Sequence, residues 1–274
     1  MSAARQATTD APPPTVLRSG EGPVAVLTLD RPAQRNSLSR AVLAALAAEL
    51  EAVAADDGVR AVVLAANGPA FSAGHDLKEL TARRADPDGG EAFFRDTMAA
   101  CAAVMQQVVG LPHPVVAAVE GVASAAGCQL VATCDLAVAS ETARFATPGV
   151  DIGLFCSTPA VALSRAVARK PAMEMLLLGE MVPAEEARRI GLVNRVVPAG
   201  QALEAATDLA RRIASRSAVA VRMGKRSFNR QLGLSLPDAY EAAGAVMVEN
   251  MLTEDAAEGI GAFVAKRRPV WRHR

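Results

Sequence analysis

Histidine is scarce in this chain. Only three occur in 274 residues, at positions 75, 113 and 273, and none stands at a spacing that pairs it with Cys156 or Ser157. A nucleophilic enzyme of the Cys–His or Ser–His–Asp kind needs a base beside its nucleophile, so that class is excluded. The four cysteines, at 101, 128, 134 and 156, lack metal-ligand spacing, so no metal is expected and they read as thiols. An excess of charge is missing too. Lysine and arginine total 29 against 29 acids, leaving no global field to draw nucleic acid or an anionic membrane. No apolar run approaches the ~20 residues that span a bilayer. Residues 1–14 lack the apolar centre of a secretory signal and read as a disordered, proline-rich leader, and a cytoplasmic location is expected. Aromatics make up 3% of the chain while 51% is hydrophobic, mostly alanine and valine. That balance suits closely packed helices on buried strands.

The apolar pattern supplies the architecture. Val24–Leu29, Arg60–Ala66, Pro114–Val119 and Asp135–Ala139 read as strands, the second and third apolar throughout as if covered on both faces. Ser39 is placed to cap a helix whose apolar positions 42, 46, 50 and 53 recur at helical spacing, and a second helix covers 91–109. Strand–helix alternation at this spacing predicts an α/β fold with right-handed crossovers. Beyond Pro159 the pattern is helical, except for a strand at 192–197. A body of 15–198 is therefore expected, followed by a helical region of 199–274.

Two turns stand out. Gly121-Val-Ala-Ser-Ala-Ala-Gly-Cys-Gln-Leu130 places small residues between a buried strand and a helix start. Such a terminus leaves backbone N–H groups unpaired, and they can hold a negative oxygen as it develops. Phe71-Ser-Ala-Gly-His-Asp-Leu77 repeats the arrangement after another strand. An oxyanion hole needs converging donors, so two such turns say more than one. The alternative is that the small residues only allow close packing. His75 is expected to matter through its backbone N–H, with its ring lining a pocket, and Asp76 reads as a helix cap.

These two segments, together with Cys134-Asp-Leu-Ala-Val-Ala, Phe145-Ala-Thr-Pro, Ala187-Arg-Arg-Ile-Gly-Leu-Val and Glu258-Gly-Ile-Gly-Ala-Phe-Val-Ala-Lys-Arg, resemble signature segments of the crotonase, or enoyl-CoA hydratase/isomerase, superfamily. The likeness runs over about 15–272. Gly149-Val-Asp-Ile-Gly-Leu-Phe-Cys-Ser-Thr-Pro and the closing Lys-Arg-Arg-Pro-Val-Trp further resemble its enoyl-CoA hydratase domain-containing subgroup. The resemblance implies a spiral of ββα turns and a C-terminal helical region that builds homotrimers, often paired into hexamers. It also implies that the amides of His75 and Ala126 hold the oxygen of an acyl-CoA thioester. Coenzyme A would enter as part of the substrate, with no tightly bound cofactor. Arg35, Ser72, Ala73, Asp76 and Leu77 match positions near its phosphates, adenine and pantetheine. Phe263 and Lys266 match positions that reach the adenine end, often in a neighbouring subunit. The basic tail at 266–274 is either part of that phosphate site or an ordinary solvated end.

The chain departs from the family where hydration needs it most. The two glutamates that handle water fall on Gln129 and Gly149. An amide can orient water but cannot accept its proton near pH 7, and glycine has no side chain. Some isomerases and a dehalogenase of the family place an aspartate where Ser157 stands. If the segment is extended, Asp151 shares a face with position 149 and is the nearest replacement; Glu120 is a weaker one. Two-glutamate hydration is expected to be weak or absent. The alternatives are an acyl-CoA-binding regulatory protein and an enzyme like methylmalonyl-CoA decarboxylase, whose turn at 71–77 reads almost the same.

Overall fold

The computed structural model describes residues 14–274, so nearly all of the proposed leader lies outside the described residues. In chain order the strands are β1 (Val16–Ser19), β2 (Val24–Leu29), β3 (Ala61–Ala66), β4 (Ala70–Ser72) and β5 (Val115–Val119), then β6 (Val122–Ser124), β7 (Leu136–Ser140), β8 (Arg144–Ala146), β9 (Val182–Pro183) and β10 (Arg195–Val197). They divide between two sheets. The larger has the order β1-β2-β3-β5-β7-β10 and is parallel except for the β1–β2 pair. The smaller has the order β4-β6-β8-β9, with β4, β6 and β8 parallel. From β3 to β8, consecutive strands go alternately to the two sheets, and a helical segment follows each such pair. This is the expected α/β spiral of ββα turns.

The helices repeat the logic of their sequences. In α1 (Arg40–Ala54) Ser39 accepts a hydrogen bond from Val42 N, and the helix buries the expected stripe Val42, Leu46, Leu50 and Val53. With α3 (Glu91–Gly110) it covers one face of the large sheet. The other face belongs to α8 (Ala202–Ala214), in which Ala202, Ala206, Ala210 and Ala214 are all buried. Alanine at every fourth position gives a flat stripe, and the last three pack on Val63, Val116 and Val138. By packing, α8 belongs with the sheet rather than with the helices after it, so the change in composition near 199 comes before the change in contacts. The helices beyond it are α9 (Ala218–Gln231), α10 (Leu236–Met251) and α11 (Glu254–Val264), which pack on one another. The buried side chain of Lys225 ties α9 to the body, donating to Asp135 Oδ2 at 2.7 Å and to the carbonyls of Val108 and His113.

The five cations of the tail are exposed, and three of them are paired with acids of α11. Arg267 pairs with Glu258, and Arg272 and Arg274 pair with Glu254. Buried Asp255 accepts from the backbone N–H groups of Arg272 and His273, and Trp271 donates to the Ser215 carbonyl. Most of the tail's cations are thus neutralised within their own chain.

Candidate active site

The small sheet builds the site. Because β4, β6 and β8 are parallel, their C-terminal ends lie along one edge, and three loops leave there side by side: 73–76, 125–126 and 147–149. The main chain stitches them together. Ala125 N donates to Ala146 O at 2.9 Å, Ala73 N to Arg35 O at 3.0 Å and Leu38 N to Gly74 O at 2.8 Å. Glycines permit the approach. A Cβ on Gly127 would lie 2.3 Å from Ser72 O, and one on Gly121 would lie 2.1 Å from Pro69 O. A Cβ on Gly74, itself at φ +91°, would lie 3.3 Å from Ala126 N, so the turn bearing His75 stands against the start of α4 (Ala126–Thr133). Close packing is therefore one use of these small residues.

Neither His75 N nor Ala126 N has a hydrogen-bond acceptor among the described residues. The first four residues of α4 are buried and its N-cap position, Ala125, supplies no side-chain bond. Ala125 sits at φ 50°, ψ −117°, a conformation that costs a non-glycine residue on the order of 1–3 kcal/mol. The strain turns the chain sharply from β6 into α4.

Side chains complete the edge. Gln129, one turn into α4, is 4% exposed and its Oε1 has no partner among the described residues. The ring of His75 uses Nδ1 against the Leu38 carbonyl at 3.3 Å, and its Nε2 is buried without a partner. Burial pushes its pKa below the ordinary imidazole value, against an opposing pull from the Leu38 carbonyl. With Nδ1–H given to Leu38, the neutral ring carries its lone pair on Nε2. Asp76 caps α2 (Leu77–Ala82), accepting from the N–H groups of Lys78 and Glu79, as its sequence position suggested. Ser72 is fully buried and accepts from Gly74 N, while Arg35, Ala73 and Leu77 are exposed near the same turn.

Other expectations meet a different arrangement. Residues 148–152 form a 3-10 helix, not an extended segment, so positions 149 and 151 do not share a face. Asp151 is exposed, with its carboxylate toward Gly179. Glu120 is engaged elsewhere, accepting from Gly200 N and Ala202 N at the start of α8. Phe263 is 85% exposed, and it and Lys266 stand at the far end of α11, which packs on α9 and α10. One residue of structural weight escaped sequence reasoning. Asn36 is 1% exposed at φ 51° and binds Arg31 N, Asn67 O and Ala70 O, pinning the loop before α1 to the strand that carries Ser72. The Asn after Arg35 was its only signal.

The family model described as enoyl-CoA hydratase/isomerase matches residues 19–274. The chain belongs to this family. It is 49% identical over 247 residues to enoyl-CoA hydratase domain-containing protein 3, mitochondrial, of Rattus norvegicus, covering 90% of this chain and 81% of that protein. Among solved structures, an enoyl-CoA hydratase of Mycobacterium smegmatis superposes with a TM-score of 0.90 at 49% identity, covering 94% of this chain and 99% of that one. Human enoyl Coenzyme A hydratase domain-containing protein 3 gives 0.89 at 44% identity, covering 94% and 100%. The family membership makes this an acyl-CoA-processing fold. Among the described residues no helix is long and apolar enough to cross a membrane.

Proposed function

We propose that this chain binds acyl-CoA thioesters and stabilises their enolates, with the N–H groups of His75 and Ala126 donating to the thioester oxygen. The observation that supports it best is the buried, uncapped N-terminus of α4 beside a second unpaired N–H. A buried donor without a partner costs about 1–3 kcal/mol, and an incoming oxygen removes that cost as negative charge develops on it. Arg35, Ser72, Ala73, Asp76 and Leu77 line the approach for coenzyme A in this reading, Asp76 by holding the loop rather than by touching ligand. Phe263 and Lys266 reach the nucleotide end in a neighbouring copy within a homotrimer or a hexamer.

Hydration by paired carboxylates is weak or absent in this proposal. General acid–base assistance contributes typically about 10²–10⁴-fold. Gln129 is a neutral amide, Gly149 has no side chain, and Asp151 is exposed on a 3-10 turn. A reaction that begins by losing CO₂ from a malonyl-type thioester needs no base, and the bare edge favours it as the second reading. The test is a titration of the full chain with butyryl-, crotonyl- and malonyl-CoA labelled at the thioester carbon. Binding is expected to lower the carbonyl stretching frequency, with little crotonyl-CoA hydration. Robust hydration that Asp151→Ala abolishes overturns the proposal, and binding without a carbonyl shift removes the hole. Absence of CO₂ release from malonyl-CoA removes the second reading.

A further inference from the structure

We propose that the segment Gly153–Cys156 fills the place where a side chain at position 149 would act on water, so that the Leu154 carbonyl and the Cys156 thiol keep the reaction dry. The inference rests on the acyl-thioester reading above and deepens it. Gly149 is buried and lacks the left-handed backbone that would by itself call for glycine. Its missing Cβ has a spatial cause. A Cβ there would lie 2.8 Å from Leu154 O, 2.9 Å from Cys156 Sγ and 3.2 Å from Cys156 N. Two of these three atoms are main chain, and neither belongs to a free loop. Leu154 N donates to Gly149 O at 2.9 Å, and Ala160 N donates to Cys156 O at 2.9 Å, at the start of α5 (Ser157–Ala166).

The filled place offers no substitute for a carboxylate. Burial raises the Cys156 thiol above its ordinary pKa, partly countered by a hydrogen bond with the Gly149 backbone, so it keeps its proton at neutral pH. Cys128, in α4, is pushed up to about 12 by burial, with a smaller push from Cys156. Gln129 on α4 is neutral. No group named at this edge except the His75 ring has a titratable lone pair near pH 7, and that lone pair, on Nε2, is buried with no partner among the described residues. The carboxylate at 149 is therefore not merely deleted. Its space has been given to a tied carbonyl and a thiol, and a single substitution does not return it. The matching substrates are acyl thioesters that pass through an enolate without adding water.

Two variant sets test this on the full-length assembly. The first is a stability cycle of Gly149→Ala, Cys156→Ala and the double variant. Overpacking by one methyl is expected to lower the Tm of Gly149→Ala by roughly 5 °C. Cys156→Ala should cost less in the Gly149→Ala background than alone, because it vacates part of the crowded space. The second is Gln129→Glu/Gly149→Glu, assayed for crotonyl-CoA hydration and for acyl-CoA binding on the same preparation, with a gain of less than about tenfold expected. An unchanged Tm for Gly149→Ala overturns the proposal, as does a hundredfold gain in hydration from the two glutamates. Strict additivity in the cycle removes the part assigned to Cys156. If the unmodified chain binds no acyl-CoA, the thioester reading fails instead, while the stability cycle still judges the packing.

Discussion

Gly127→Ala adds one methyl and alters no polar group, yet it should disable the site. The new Cβ would stand 2.3 Å from Ser72 O and 2.8 Å from Ser72 Cβ, where ordinary contact begins near 3.4 Å. The start of α4 and the end of β4 must therefore part by roughly 1 Å. Both are buried, with Ser72 at 0% exposure, and overpacking of this kind costs about 1–3 kcal/mol. The larger effect is geometric. His75 lies three residues beyond Ser72 and Ala126 adjoins Gly127, so the separation falls on the two donors themselves. A misplacement of about 1 Å can cost about a hundredfold in rate, and loss of one such donor about 10²–10³. Isotope-edited infrared spectroscopy of bound [1-¹³C]butyryl-CoA reads the carbonyl directly, and calorimetry of the same sample reads stability. The variant should bind coenzyme A through its remote contacts while losing most of the carbonyl shift. A full shift with an unchanged Tm refutes the argument that the missing Cβ holds the two turns in place.

Three further perturbations probe other parts of the fold. Lys225→Met leaves Asp135 facing only the N–H of Val115, and should cost about 3 kcal/mol, toward the low end for a broken buried pair because Asp135 is a quarter exposed; Lys225→Met/Asp135→Asn should recover part of it in chemical denaturation. Ala125→Gly relieves the strained turn at φ 50°, and after the entropy cost of glycine a net gain of about 1 kcal/mol is expected in the denaturation midpoint. His113 is 4% exposed with Nε2 unpartnered, and its pKa is lowered first by burial and then by Arg222, with Lys225 adding to this and Val53 and Asp56 opposing. A lowered folded pKa means that the unfolded chain binds the extra proton, so stability is full above about pH 6.5 and falls as pH drops below it. His75 and His273 lean the same way, so His113→Gln should flatten the acid limb of a stability–pH curve only in part. An unchanged limb would show that His113 does not stay neutral in the folded state.

The long elements were readable because their periodicity has room to repeat. β2, β3, β5 and β7 have five or six residues and bury at least four of them, and α1 and α3 run to 15 and 20. The small sheet was not readable, since its strands have only two or three residues, too few for alternation to show. That sheet is what aligns the three loops, so the neighbours of the site could be named from motifs while the reason they meet could not. The face-sharing argument for Asp151 does not hold, for a similar reason. Pro148 starts a 3-10 turn, closed by Gly153 at φ 76°, and face-sharing arguments for extended chain do not apply there. Glu120 lies next to a signature turn in sequence, but its partners are 80 and 82 residues away. The pairing of the tail is invisible in its composition. Its cations are as numerous as they look, and their acids lie on α11, where only the folded chain brings them close.

The start of α4 differs from the five helix starts of this chain that carry a side-chain cap. Ser39, Asp76, Ser217, Ser235 and Thr253 each accept a backbone N–H at the helix they precede. The N-cap residues of α3, α5, α6 (Arg169–Leu178), α7 (Ala184–Arg189) and α8 make no such bond, but Asp88 accepts from Ala92 N at the start of α3 and Glu120 from Ala202 N at the start of α8. α4 begins among buried residues, where water serves least, and there the N-cap is an alanine in a strained conformation. Uncapped donors at about 1–3 kcal/mol each, with strain of similar size, are a large share of a typical net stability of 5–15 kcal/mol. The arrangement persists because Gly74, Gly121 and Gly127 lock the neighbouring turns and Ala125 N is held by Ala146 O. A turn selected only for packing could keep those glycines and still place serine or aspartate before the helix. Leaving the donors open makes sense where an oxygen from outside the chain completes them, and a bound acyl thioester at a hundredfold its Kd should then raise stability by about 2.7 kcal/mol.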